Sequence, residues 1–214
     1  MAMADNPILE AALENIEAVV DTLTTNELVR EIPVVGTVVK LLRGARDIRD
    51  RLFAAKLLRF IQNLESVSDE TKERIRRKIT DNPDEARKVG EIVIVIVERV
   101  TALEKADLIA ILFLAYIDGQ IDVTEFRRLC AVIDQAFLDD LLELLNRREA
   151  PSKSKDAFMQ HLSATGLVRP VPGQTIGELG ELFYEATRLA RKLRHAYEHG
   201  RRLLSEAGRE NRAS

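Results

Sequence analysis

Apolar residues recur at three- and four-residue steps through almost the whole chain, and that period commits it to helices. Ile8, Leu9, Ala12, Leu13, Ile16, Val19, Val20 and Leu23 form one such row, behind a cap at Asp5 or Asn6 and a proline at Pro7. Val34, Val38, Leu41, Ala45, Ile48 and Leu52 form a second, opened by Pro33 and continued by Leu57, Phe60, Ile61 and Leu64. A row that returns every 3.6 residues lies on one helix face, whereas a half-buried strand needs strict alternation. Composition agrees, since 10 Gly and 6 Pro among 214 residues are too few turn formers for a many-stranded β fold. The expected fold is all-α, a multi-helix bundle with a long N-terminal helix. Gly36 and Gly44, eight residues apart on that helix, suit the close approach of a neighbour.

One stretch pulls the other way. Ile92 to Val97 is an unbroken run of six β-branched residues, a composition that favours strands. It is preceded by DNPDEA, with Asn82 at a cap position, Pro83 first and Glu85 third, and it is flanked by charges. Those start signals predict a buried helix. Ser66 and Ser68 open another helix through Ile79, and further helices are expected over residues 103–117, 123–136 and 138–147.

Residues 146–155, NRREAPSKSK, read as a linker because they are polar, charged and broken by Pro151. The expected organisation is N-terminal amphipathic helices over 1–65, a central helical bundle over 66–147, a linker over 148–156 and a C-terminal helical segment over 157–214. That last segment holds a short helix, Gly- and Pro-punctuated chain that allows a small β-hairpin near residues 166–184, and a long final helix that reads as frayed from about Ser205.

Charge and cysteine usage set bounds on function. A net charge of −3 conceals 32 basic and 35 acidic residues, so any nucleic-acid or membrane footprint must be a local patch. Cys130 falls in the apolar row Phe126, Leu129, Cys130, Ile133, which predicts a buried, reduced thiol. The first twenty residues lack a basic start followed by an apolar stretch, and the longest apolar runs, DLIAILFLAYI and IPVVGTVVKLL, fall short of the roughly 20 residues of a spanning helix. The expected location is cytoplasmic, or peripheral to a membrane.

YIDGQIDVTEF, residues 116–126, carries the second half of an EF-hand loop: Asp118, Gly119, Ile121 and Glu125 stand in the right order. If Asp118 is position five and Glu125 position twelve, positions one and three are Leu114 and Tyr116, and two required oxygen donors are missing. The structural alternative is complete. Gly119 turns the chain, Ile121 enters the core, and Asp122 with Glu125 forms a capping box. No metal and no cofactor is implied. A helix, D-G-x-I and a capped helix also resemble the central hairpin of tellurite-resistance B-like domains, over about residues 98–137. That resemblance implies a small all-helical module of bacterial stress and phage-response systems.

Seven basic residues (Lys40, Arg43, Arg46, Arg49, Arg51, Lys56 and Arg59) face two acidic ones, Asp47 and Asp50, between positions 40 and 59. Such a helix suits an acidic protein partner or an anionic membrane surface, or is simply a solvated face. No aromatic residue interleaves the basic ones on the exposed face, which disfavours single-stranded nucleic acid.

LRHAYEHG, residues 193–200, resembles the R-x4-6-H motif of HEPN domains through Arg194 and His199, with Arg188 and His195 as a longer version. The resemblance implies a metal-independent ribonuclease acting as a homodimer on RNA, Arg194 stabilising phosphate charge and His199 moving a proton. The same letters spell H-x-x-E-H at His195, Glu198 and His199, a zinc pattern that would need a third ligand from Glu206, Glu210 or elsewhere. His161 has no evident partner. Residues 162–193 are faintly similar to the closing part of a winged-helix domain, with Tyr184 and Thr187 in place and Ala190 where a glycine is usual. No complete nucleotide-binding loop or catalytic triad is present. The first expectation is therefore a non-enzymatic helical interaction or adaptor protein, with the ribonuclease and the peripheral membrane protein as alternatives.

Overall fold

A computed structural model describes residues 48–210, together with Val20, Asp21, Thr24, Thr25 and Val39. The rest of the N-terminal row, and Gly36 and Gly44, lie outside the described residues. Val20 and Val39 are buried and belong to the core. Eight α-helices follow in the order α1 (Ile48–Glu65), α2 (Asp69–Asp81), α3 (Pro83–Arg99), α4 (Leu103–Ile117), α5 (Val123–Gln135), α6 (Leu138–Asn146), α7 (Ala157–Leu162) and α8 (Arg188–Glu210). Between α7 and α8 runs one antiparallel hairpin, β1 (Val168–Pro172) and β2 (Leu182–Ala186). The all-helical bundle and its small hairpin are as the periodicity and the Gly/Pro punctuation predict.

Helix α4 is the axis. Every residue from Leu108 to Tyr116 is buried, which is how its apolar run DLIAILFLAYI is used: a helix hydrophobic all round must be covered all round. Helices α1, α5 and α8 pack around it, with α3 and α2 behind. Phe113 at its centre meets Phe60 of α1 edge-on, with centroids 5.7 Å apart, and Phe126 of α5 at 6.2 Å. Helix α8 crosses close to it at Gly200, where an added Cβ would lie 2.1 Å from the Ile111 carbonyl oxygen. Only glycine fits that crossing.

The six β-branched residues do form helix, in α3. Val93, Ile96 and Val97 face the core, and burial on that face outweighs the modest strand preference of the run. Ser68 caps α2 by accepting from the Thr71 N–H at 3.3 Å. Asn82 stands at the cap of α3 but makes no side-chain capping bond, so Pro83 and the acidic Asp84 and Glu85 start that helix instead.

Three helices end in a common way. After α3, α5 and α6 the chain leaves extended, at Val100 (ψ 137°), Ala136 (ψ 144°) and Arg147 (ψ 142°), with no left-handed glycine to fold back over the last carbonyls. A buried cation from another helix takes them instead. Lys56 of α1 donates to Glu98 O at 2.7 Å and Val100 O at 2.8 Å. Lys105 of α4 donates to Asp134 O at 2.9 Å and Ala136 O at 2.8 Å. Arg194 of α8 donates to Leu144 O at 2.8 Å and to the Arg147 and Arg148 carbonyls. Positive charge at a helix C-terminus is also where the peptide dipoles favour it. Burial lowers the pKa of both lysines.

The stretch read as a linker is tied down. Ser154 exchanges two backbone hydrogen bonds with Tyr184 of β2, at 2.9 and 2.7 Å, and Ala186 N–H donates to Pro151 O at 2.9 Å. Helix α8 continues past Ser205 to Glu210 rather than fraying there, anchored by buried Leu203.

Candidate functional site

The joint between α4 and α5 is built as a turn. Gly119 takes φ +72°, Ile121 is 3% exposed, and the capping box closes, with Glu125 N–H donating to Asp122 Oδ1 at 2.8 Å and Asp122 N–H to Glu125 Oε2 at 3.1 Å. The oxygens of the half-motif are committed elsewhere. Asp118 binds Arg74 at 3.1 Å and His199 Nε2 at 2.6 Å, and Glu125 pairs with Lys192. Tyr116 donates its hydroxyl to Glu85, the opposite polarity to a metal ligand, and burial together with that carboxylate raises the phenol pKa. Among the described residues no cluster of three or more His, Cys, Asp or Glu could hold a metal ion.

Arg194 and His199 do not converge. The Arg194 guanidinium is spent on the α6 C-terminus, and the side chain is 7% exposed. His199 points to the α4–α5 joint, where Arg202 donates to its Nδ1 at 2.7 Å while Nε2 faces Asp118. Because a guanidinium only donates, Nδ1 accepts and the proton sits on Nε2. His195 reaches Gln120 Oε1 at 3.3 Å, and His161 finds Asp140 at 3.0 Å. Positions five residues apart on a helix point about 140° apart, so Arg194 and His199 reach two different joints. Cys130 is fully buried, and burial raises its thiol pKa.

The basic row is largely consumed where it is described. Arg49 pairs with Glu98 at 2.7 Å, Lys56 caps α3, and Arg59 grips Asp107 through two bonds of 2.8 and 2.9 Å. Lys40, Arg43, Arg46 and the Arg51 side chain lie outside the described residues. Beside Arg49 a shallow cleft of about 330 Å³ runs between α1 and the end of α3, lined by Leu52, Phe53 and Arg99.

The hairpin offers something the turn signals concealed. Strands β1 and β2 pair from Val168 opposite Ala186 to Pro172 opposite Leu182. The loop beyond is folded around one carboxylate. Glu178 Oε2 accepts from Gln174 N–H at 2.9 Å, from Thr175 N–H at 3.2 Å and from Lys153 Nζ at 2.6 Å. Lys153, first among these donors, holds the Glu178 carboxyl at about 2. Lys153 also stands 4.2 Å over the Phe183 ring, and Lys155 pairs with Glu181 at 2.5 Å. On this braced loop Ile176 is 89% exposed, Leu179 79% and Leu182 54%. The signal was present in PGQTIGELGEL, where large aliphatic residues alternate with glycines, but glycines read first as punctuation.

No family model, curated protein or solved structure matches this chain. The functional reading therefore rests on its own surfaces. No helix among the described residues is long and apolar enough to cross a membrane.

Proposed function

We propose that this protein is a non-enzymatic helical interaction module, an adaptor that binds a partner protein through the β1–β2 tip. One observation carries the reading: three large aliphatic side chains, Ile176, Leu179 and Leu182, stand in solvent on a loop whose Gln174 and Thr175 amides and Lys153 all hydrogen-bond to one carboxylate, Glu178. Leaving such residues exposed costs solubility, and ordering the loop in advance removes much of the entropy that binding would otherwise lose. The tip carries balanced charge, Lys153 with Glu178 and Lys155 with Glu181, so it lacks the cationic field that anionic lipid would select. A protein surface with an apolar pocket fits it better. The setting, a bacterial stress or defence response, rests on the likeness of residues 98–137 to tellurite-resistance B-like domains.

The test is site-specific photo-crosslinking in cells from a benzophenone side chain at position 176 or 179, compared with one at exposed Glu73. The reading expects one discrete protein adduct from the tip positions, lost on Leu182→Ser with an unchanged melting temperature. Equal, diffuse labelling from all three positions would refute it. Flotation of the tip with neutral or anionic vesicles would transfer the role to lipid.

A further inference from the structure

Helix α3 carries apolar residues beyond its core face, and among the described residues they are only partly covered. Val93, Ile96 and Val97 are buried in the core and Ile92 is half-buried with one side packed on it, whereas Val95 is 51% exposed. Ile92 and Val95 line a groove of about 570 Å³ between α3 and α5, whose other wall is Val123, Thr124 and Ala131. Helices that pack side by side normally close such a furrow with side chains of a third helix. Among the described residues none does so. Lys88, Ile92, Val95 and Arg99 follow one another along α3 at three- and four-residue steps over about three turns, so the two aliphatic residues lie between charged ends along a track the length of a short helix.

The rim states the charge of the occupant. Lys88 on α3 and Arg127 on α5 flank the apolar floor from opposite sides, and neither makes an ion pair among the described residues. Glu91, the acidic residue of the lining, is neutralised by Arg87 at 3.0 Å, and Arg99 is shared with Asp134 at 2.9 Å. Among the described residues the furrow therefore has an aliphatic floor between two cations that make no ion pair. We infer that the α3–α5 groove is a docking site for an amphipathic helix of a partner protein, whose aliphatic stripe covers Val95 and Ile92 and whose flanking Asp or Glu residues pair with Lys88 and Arg127. This surface is independent of the hairpin tip and would make the protein bridge two partners. It also gives the six β-branched residues of α3 a use on both sides.

The full chain, immobilised, is used to select from a displayed library of helical peptides, in parallel with a Val95→Asp variant whose thermal melt is shown to match the wild type. Enrichment that Val95→Asp abolishes, in sequences with an aliphatic i, i+4, i+7 stripe flanked by acidic residues, is the expected result. The strongest peptide is then measured against Lys88→Glu with Arg127→Glu. Charge complementarity predicts about a tenfold or greater loss there, recovered when the acidic flanks of the peptide are changed to Lys. Selection of neutral or basic flanks, enrichment that survives Val95→Asp, or no enrichment above an unrelated helical protein would each overturn the inference.

Discussion

His199 Nε2 lies 2.6 Å from Asp118 Oδ2, joining the last helix to the turn between α4 and α5 across 81 residues. The same carboxylate holds Arg74 at 3.1 Å, so one aspartate ties α2, the central joint and α8 together. With Arg202 donating to Nδ1, the ring is expected in its Nε2–H tautomer, which long-range nitrogen–proton NMR of the imidazole reads directly. Asp118→Ala strips partners from two buried-side cationic or donor groups at once. It should lower unfolding free energy by roughly 2 kcal/mol in urea titration.

Calcium should leave the protein unchanged. The oxygens of Asp118 and Glu125 already serve Arg74, His199, Lys192 and the Asp122 N–H, and Leu114 and Tyr116 fill the places of two ligands. A thermal melt at millimolar calcium is expected to overlay that in chelator, and a rise of several degrees would show that a site exists.

Arg194→Met keeps the aliphatic stem but leaves the Leu144, Arg147 and Arg148 carbonyls without their donor. Lys105→Met does the same to Asp134 and Ala136. Each is expected to cost about 1 to 3 kcal/mol by chemical denaturation, with hydrogen exchange quickening in the last turn of α6 or α5 respectively. Local exchange separates a lost cap from a general loss of packing.

Gly200→Ala sets a methyl group against the Ile111 backbone, and neither helix can yield without moving α4, the centre of the core. A destabilisation of about 2 kcal/mol or more is expected in urea titration. Gly177→Ala, where a Cβ meets nothing within 4 Å, serves as the matched control and should be close to neutral.

Glu178 is held at about 2, below the ordinary carboxylate value of 4.5, chiefly by Lys153 and then by the loop amides. A carboxyl whose folded pKa is depressed stabilises its surroundings above its unfolded value, and that contribution disappears as pH falls through the folded one. The tip should accordingly stay ordered at pH 5 and lose order between about pH 4.5 and 2, whereas Lys153→Met should shift the loss upward. Carboxyl carbon NMR of Glu178 with amide shifts of residues 174–182 measures both.

Several features were legible from residue order because they depend on near neighbours. The 3.6-residue rows marked the helices, and Asp122 with Glu125 marked a cap that closes within four residues. Phe126, Leu129, Cys130 and Ile133 marked a buried face. Even the Ile92–Val97 run was readable as helix from its proline start and its flanking charge.

The rest was decided at a distance. Periodicity says which face of a helix is apolar, not which neighbour covers it, so the bare outer side of Val95 emerges only once α5 stands beside α3. A lysine or arginine in a row reads as solvated charge. Lys56, Lys105 and Arg194 are instead buried, because helix ends 29 to 50 residues away leave carbonyls that no local glycine satisfies. Arg194 and His199 stand five positions apart in the sequence, yet in three dimensions they meet different elements, the end of α6 and the α4–α5 joint. The sequence alone determined a helical bundle and the caps at Ser68 and Asp122. The tertiary structure determined which polar groups are used up inside it and which apolar ones, at the hairpin tip and at Val95 of α3, stay exposed, since only packing brings distant donors to unsatisfied acceptors and decides which side chains are covered.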